Sequence, residues 1–536
     1  MRLTEEGLFD REAWEQAGYQ LPQYDRKKVR QLTVKEPEWI HFGAGNIFRA
    51  FQANVVQTLL NKGSYDKGLI VAEGFDYEII EKSNRPHDDY SILVTLKADG
   101  SVEKTVVGSI VESLTVDSTC KKDFDRLVDI FCSDSLKMVS FTITEKGYKL
   151  ENEKGELNKA VVKDMENGPE KAESYMGKVT ALMYQRYLTG EKPVALVSMD
   201  NCSHNGDKLH EAVLTFARNW EDKNKVKKGF TGYLEDKQKV SFPWTMIDKI
   251  TPRPDPNVEE LLRKDGIEQV APIVTSKHTY VAPFVNAEES QYLVMEDWFL
   301  NGRIPLEAAG IIYTDRKTVD QVEKMKVCTC LNPLHTALAV FGCLLGYTRI
   351  CDEMKDDDLV RLIETVGYKE GLPVVVDPKI MNPKEFIDQV MTVRLPNPFM
   401  PDTPQRIATD TSQKLAIRYG ETMKAYVRTR GNCKELIGIP LVIAGWLRYL
   451  MGVDDEGNTF TLSPDPLLET LYKMVGDIKI GEAIDVHGKI EKILKNDAIF
   501  GVDLYKVGLG EKIEYLFAKM IEKEGAVRET LHNQFK

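Results

Sequence analysis

The chain has 536 residues and carries a formal net charge of -12, a length with room for two to four domains and ample core. Its acid excess, with a sequence pI near 5.4, excludes a general binder of nucleic acid or anionic membrane, since neither offers an acidic protein a favourable field. The start M-R-L-T-E-E-G-L-F-D has no basic-then-apolar pattern and no apolar run approaches the ~20 residues needed to span a bilayer, so the expectation is a cytoplasmic protein with no membrane partner. The eight cysteines are scattered and read as reduced core thiols. Cys328 and Cys330 form a C-x-C without a second pair, and no metal site is expected.

Residues 1 to 37 read as polar and loop-like, with a short amphipathic piece around Asp10 to Gly18. The run W-I-H-F-G-A-G-N-I-F-R-A-F-Q-A-N-V-V-Q-T-L-L then reads as a buried strand, a glycine turn and an amphipathic helix. Here Gly43 permits the tight turn, Gly45 lets backbone approach a pyrophosphate, and the helix N-terminus supplies amide donors. Phe48 stands where the usual third glycine would be. On its own, the G-x-G fits a plain strand-to-helix turn equally well.

The next strand, G-L-I-V-A-E-G-F-D, ends in acids. Glu73, or else Asp76, is placed to bond adenosine ribose hydroxyls and to disfavour a 2′-phosphate, which predicts NAD rather than NADP. Alternation around K-A-D-G-S predicts a hairpin insert from Asp89 to Val116. The strand K-M-V-S-F-T-I-T delivers Thr144 and Glu145 at its carboxyl end, where open α/β sheets keep their ligands. Residues 150 to 173 read as a charged loop and 174 to 190 as a helix. P-V-A-L-V-S-M-D-N-C-S-H-N-G-D presents Asp200, Asn201, His204, Asn205 and Gly206 after a buried strand. F-P-W-T-M-I-D-K-I-T-P brings Asp248, and two more strands are expected between 271 and 299.

The turn N-G-R-I-P-L-E marks a boundary near residue 305, beyond which helical periodicity dominates. In K-V-C-T-C-L-N-P-L-H a base, an amide and an imidazole come close together: Lys326, Asn332 and His335. Asn332 and His335 share a helix face. Nine steps of unbroken helix would put Lys326 on the opposite side from His335, and Pro333 predicts an irregularity before it. Glu323 lies one turn ahead of Lys326. Further on, Arg406 and Lys414 are eight apart, a spacing that on a helix turns both toward one pocket.

Four of these segments resemble the polyol-specific long-chain dehydrogenases and reductases, the group of mannitol dehydrogenase, fructuronate reductase and tagaturonate reductase. They are G-A-G-N-I-F-R-A-F-Q, T-x-T-E-K-G-Y, D-N-x-x-x-N-G, and the lysine followed by N-x-x-H, and R-x-x-x-D-x-S-x-K adds a fifth. The family usually has four residues between lysine and asparagine; here there are five, which a π-bulge would absorb.

The resemblance implies an α/β Rossmann-type N-terminal domain with inserts (1–305) and an all-α C-terminal domain (306–536), with the active site in the cleft between them. It implies NAD as cofactor, held by Gly43, Gly45, Asn46, Phe48, Arg49, Glu73, Thr144, Glu145 and Asn205. Lys326 becomes the acid/base, and Asn332 and His335 the holders of the reacting oxygen; Glu323, by its position one turn earlier, is placed either to relay the proton to solvent or to form an ordinary i, i+3 ion pair. Asn201, Asp248, Arg406 and Lys414 bind substrate. The implied chemistry is interconversion of a keto-sugar acid and its secondary alcohol, of fructuronate/mannonate type, without a metal, by a monomer or small homo-oligomer. Tagaturonate or mannitol chemistry are the alternatives within the family, and an inactive nucleotide-binding sensor is the alternative outside it.

Overall fold

In the computed structural model, which describes residues 1–152 and 154–536, six short apolar runs become parallel strands. They are β1 (Trp39–Phe42), β2 (Leu69–Glu73), β3 (Ile110–Thr115), β4 (Met138–Phe141), β5 (Val194–Ser198) and β6 (Val240–Ser241). Nearly every residue in them is buried, as expected of parallel strands covered on both faces. The sheet order is β3-β2-β1-β4-β5-β6, with every pairing parallel. This is the doubly wound dinucleotide-binding order, and it reverses direction between β1 and β4.

Alternation along each strand feeds two cores. Ile40, Phe42, Val139, Phe141 and Leu196 pack under the helices Lys121–Cys132, Tyr175–Leu188 and Asn205–Asp222. Trp39, Val71, Met138 and Val197 pack on the opposite side against Phe48 to Leu60.

The hairpin Ser91–Leu96 with Val102–Val107 forms as the turn sequence predicts, and Phe284–Glu288 joins it in parallel. The insert is shorter than expected, because Ile110–Thr115 leaves it to become β3 of the main sheet. Residues 1 to 37 also differ from the loop-like reading: Arg26–Lys35 is a helix capped by Asp25. Arg26 explains the difference, since it is buried and donates to the carbonyls of Gly108 and Ile110 at 2.9 and 2.8 Å, anchoring this helix to the start of β3. Within the expected charged loop, Lys159–Asn167 is helical.

The chain divides into two compact units, Met1–Lys97 with Ser101–Asp320 and Gln321–Lys536 with Ala98–Gly100. The division falls later than residue 305 because Ile312–Thr314 pairs in parallel with Tyr292–Glu296 and so belongs to the first unit.

The second unit is helical, as its periodicity predicts, and no strand occurs in it among the described residues. The helix Gly438–Tyr449 is buried along its whole length. At Gly445 the missing side chain lets the Phe341 ring come within 3.0 Å of where a Cβ would stand, so this helix and Asn332–Leu344 pack closely. The continuous helical run Arg316–Leu344 is long and apolar enough to cross a membrane, contrary to the sequence expectation, but 78 % of its most apolar window is buried inside the protein. That burial is the behaviour of a core helix.

Candidate active site

The carboxyl edge of the sheet in the first unit is built from groups that satisfy one another. Gly43 has φ +105°, and a Cβ there would run into the Thr142 carbonyl, whereas a Cβ on Gly45 would meet nothing within 4 Å. One glycine is therefore demanded by the turn, while the other leaves open space before it, the cradle a pyrophosphate needs.

Glu73, at the end of β2, is 5 % exposed. Its carboxylate accepts from the backbone N–H of Ala44, Phe75 and Asp76 at 2.9, 2.7 and 3.1 Å. Burial raises its pKa and the three N–H donors oppose that rise. Glu73 thus braces the glycine turn, which corrects the expectation of a carboxylate open to ribose hydroxyls. Asp76 is also buried and accepts from Thr275 at 2.6 Å. Beside them, at the carboxyl ends of β2 and β3, lies a cavity of about 700 Å³ lined by Gly74, Phe75, Tyr77, Asp117, Lys178 and Lys277. In this sheet order that end receives the adenosine half of a dinucleotide.

Phe48 and Arg49 are buried rather than exposed to a ligand. Phe48 stacks on His41 at 4.3 Å between ring centroids, which places it in the core. Arg49 donates to the Ala282 carbonyl at 2.6 Å and to Asn46 Oδ1 at 2.9 Å, and burial lowers its pKa to about 10. Its effect on a cofactor would run through Asn46, on the turn itself.

Across the switch point Asp200 organises the β4 and β5 ends. It accepts from Ile143 N–H and Thr144 N–H, both at 2.9 Å, and from the Tyr148 hydroxyl at 2.6 Å. Thr144 is thereby held at φ +63°. Asn205 is fully buried, with its amide engaged by Thr245 and by the Asp200 carbonyl, so it positions this edge rather than reaching a ligand. Asn201 is exposed beside it. Glu145 is exposed too, and its hydrogen bond to Lys208 at 2.7 Å lowers its pKa. Asp248 is 5 % exposed at the end of the strand Thr245–Asp248.

In the second unit the extra residue before Asn332 is absorbed as the motif predicts. Lys326–Cys330 is a π-helical turn closed by Leu331 N–H to the Lys326 carbonyl at 3.1 Å, and the helix Asn332–Leu344 begins directly after it with Pro333 in its first turn. Lys326 is 3 % exposed. Glu323, half-buried one turn earlier, has no ion-pair partner among the described residues.

His335 Nε2 lies 3.4 Å from Asp402 Oδ2, and the other Asp402 oxygen accepts from Arg406 Nη2. Asp402, 6 % exposed, thus ties together two of the expected site residues. Sequence reasoning missed it, although its place four residues before Arg406 was the available signal. Arg406 and Lys414 do not share a helix: Pro404–Ile407 stops, Asp410 takes a left-handed φ of +55°, and Thr411–Gln413 is a separate 3₁₀ turn. A bend separates the two; burial lowers the Lys414 pKa, with the charge of Arg418 and, last, that of Arg406 adding to the fall.

Residues 37–308 match the family model described as the mannitol dehydrogenase Rossmann domain, and residues 318–520 match that of the mannitol dehydrogenase C-terminal domain. The chain belongs to the mannitol dehydrogenase family. It is 53 % identical to the D-mannonate oxidoreductase of Thermotoga maritima over 99 % of this chain and 98 % of that one. Its fold is similar to that of Pseudomonas fluorescens mannitol 2-dehydrogenase, solved as a ternary complex with NAD and D-mannitol, with a TM-score of 0.70, 25 % identity and coverage of 99 % of both chains. A substrate-free D-sorbitol dehydrogenase gives a TM-score of 0.79 at 24 % identity, over 97 % of this chain and 98 % of that one. The Rossmann-type and helical halves expected from the motifs are those of the family.

Proposed function

We propose that this chain is an NAD-dependent oxidoreductase that interconverts D-mannonate and its keto acid, D-fructuronate. The observation that carries this reading is the 53 % identity to a D-mannonate oxidoreductase, spread over 99 % of the chain. The open glycine turn in front of Gly45 and the adjoining cavity fit a dinucleotide. When bound, NAD supplies hydride transfer at the secondary-alcohol carbon.

The chain's own groups handle the proton and the oxygen. Lys326 takes the alcohol proton in oxidation and returns it to the ketone oxygen in reduction, while Asn332 and His335 donate to that oxygen as charge develops on it. Glu323 passes the proton on toward solvent. Asn201, Asp248, Arg406 and Lys414 bind the hydroxyls and carboxylate of the sugar acid. No metal enters this scheme, because Lys326 handles the proton as a Brønsted acid/base and the Asn332 and His335 donors stabilise the oxygen.

Loss of NADH absorbance with D-fructuronate, D-tagaturonate and D-fructose tests the reading. Fructuronate is expected to turn over with the highest kcat/KM, and prolonged chelation should leave its rate unchanged. A preference for fructose would make the enzyme a mannitol 2-dehydrogenase. Tight NADH binding without turnover of any of the three would make the chain a nucleotide sensor, and a chelated enzyme revived by Zn²⁺ would end the metal-free mechanism.

A further inference from the structure

A third cation stands beside Arg406 and Lys414. Arg418 belongs to the π-helical turn Ala416–Gly420, and its Nη1 donates to Thr336 Oγ1. Thr336 is the residue after His335, and its hydroxyl donates in turn to the Asn332 carbonyl at 3.0 Å. The neighbouring Tyr419 donates to the Pro333 carbonyl at 2.6 Å, so this turn is fastened to the first turn of the helix that carries Asn332 and His335. Arg418 N–H also donates to the Lys414 carbonyl at 2.9 Å, which joins the two cationic residues through one backbone bond.

The cations of this cluster are unevenly paired. Arg406 has Asp402. Among the described residues no carboxylate pairs with Arg418 or with Lys414, whose ammonium donates only to the Thr409 carbonyl at 2.5 Å. The acids whose charge acts on Lys414 are Asp410 and Asp465, and Asp465 accepts from the backbone N–H and hydroxyl of Ser412. Burial lowers the Arg418 pKa to about 10; burial and then the Arg418 charge lower that of Lys414. Arg418 is a half-buried guanidinium beside a second cation, and among the described residues four of its five N–H donors have no protein acceptor, so they are open to take an anion.

We infer that Arg418 and Lys414 together seat the carboxylate of the substrate, and that Arg418 is a specificity-determining residue favouring sugar acids over neutral ketoses. The inference rests on the oxidoreductase reading above. D-Fructuronate and D-fructose make the discriminating pair, because they differ only in a carboxylate replacing a terminal CH₂OH. A planar fork held in place by Thr336 suits bidentate recognition of that carboxylate.

The test measures kcat/KM for both substrates with NADH, in wild type, Arg418→Met and Arg418→Lys, alongside NADH binding. The fructuronate-to-fructose ratio of kcat/KM should fall about 30-fold in Arg418→Met, the scale of a lost charge-assisted hydrogen bond, with Arg418→Lys between that variant and wild type. NADH affinity should stay near the wild-type value. If Arg418→Met fails to fold, Arg418→Gln takes its place with the same expected fall in ratio. An unchanged ratio, with both substrates losing alike or neither losing, overturns the inference. Failure of the parent reading is distinct from this, since wild type itself would then prefer fructose or reduce neither substrate.

Discussion

The sheet edge of the first unit and the cation cluster of the second treat charge in opposite ways. At the sheet edge of the first unit, Glu73 and Asp200 are surrounded by backbone N–H donors and a phenol, so the edge is complete as a protein structure before any ligand comes. In the second unit Arg418 and Lys414 have no carboxylate partner among the described residues, and Glu353 is fully buried with neither carboxyl oxygen hydrogen-bonded. A dinucleotide offers the same polar surface each time, and a rigid edge of backbone donors suits it. A substrate that must be told from its neutral relatives is better met by charge that only the right ligand neutralises.

The sharpest way to break this picture is at Lys326. Lys326→Ala should lose ~10²-fold or more in kcat, the range for removing a general acid/base, while NADH affinity holds and the pH dependence of kcat in oxidation disappears. If Lys324→Ala is crippled instead, the register of the π-helical turn is misassigned. A smaller effect is expected at Asp402, which touches both His335 and Arg406. Asp402→Asn should lower kcat/KM for fructuronate about tenfold, the scale of one charge-assisted hydrogen bond, with Asp402→Glu partly restoring it; a variant with unaltered kcat/KM would mean that His335 needs no carboxylate behind it.

The smallest effect separates the buried acids by stability. Glu353 lies in an apolar setting that raises its pKa well above the usual 4.5, with Asp356 adding to the rise. A carboxyl whose folded pKa is raised gives stability that is present below its unfolded pKa and lost as pH climbs through the folded value. Glu353→Gln should therefore flatten the fall of Tm as pH rises above the ordinary carboxyl value of 4.5, with little cost at the acidic end. Glu73→Gln, which weakens three backbone contacts, should cost about 1–3 kcal/mol of stability and so lower Tm. Parallel melting curves for Glu353→Gln and wild type would show that Glu353 is already charged in the fold.

What the sequence made legible follows from where its signals are local. Gly43 and Gly45 sit in a strand-turn-helix that three lines of patterning mark, and Pro333 with one surplus residue announces the π-helical turn at Lys326–Cys330. Partners far apart in sequence were invisible. Nothing near residue 26 reveals that Arg26 binds carbonyls beyond residue 107, so its helix reads as loop. Likewise Arg406 and Lys414 obey helical spacing on paper, but the left-handed Asp410 between them breaks the helix. Glu73 carries the right residue type at the right strand end, yet the direction of its side chain is set by three N–H groups that no motif counts. Arg418 went unnoticed because its meaning is a missing partner, which only a folded neighbourhood reveals.

The unpaired cations of the second unit can be tested without any substitution, by titrating the enzyme–NADH complex with D-mannonate and with D-mannitol at low and high salt and following NADH fluorescence. The account predicts that mannonate binds at least tenfold tighter, the equivalent of about 1.4 kcal/mol, and that salt erodes this advantage as it screens the carboxylate from Arg418 and Lys414. Equal affinity for the two ligands, indifferent to salt, would contradict it.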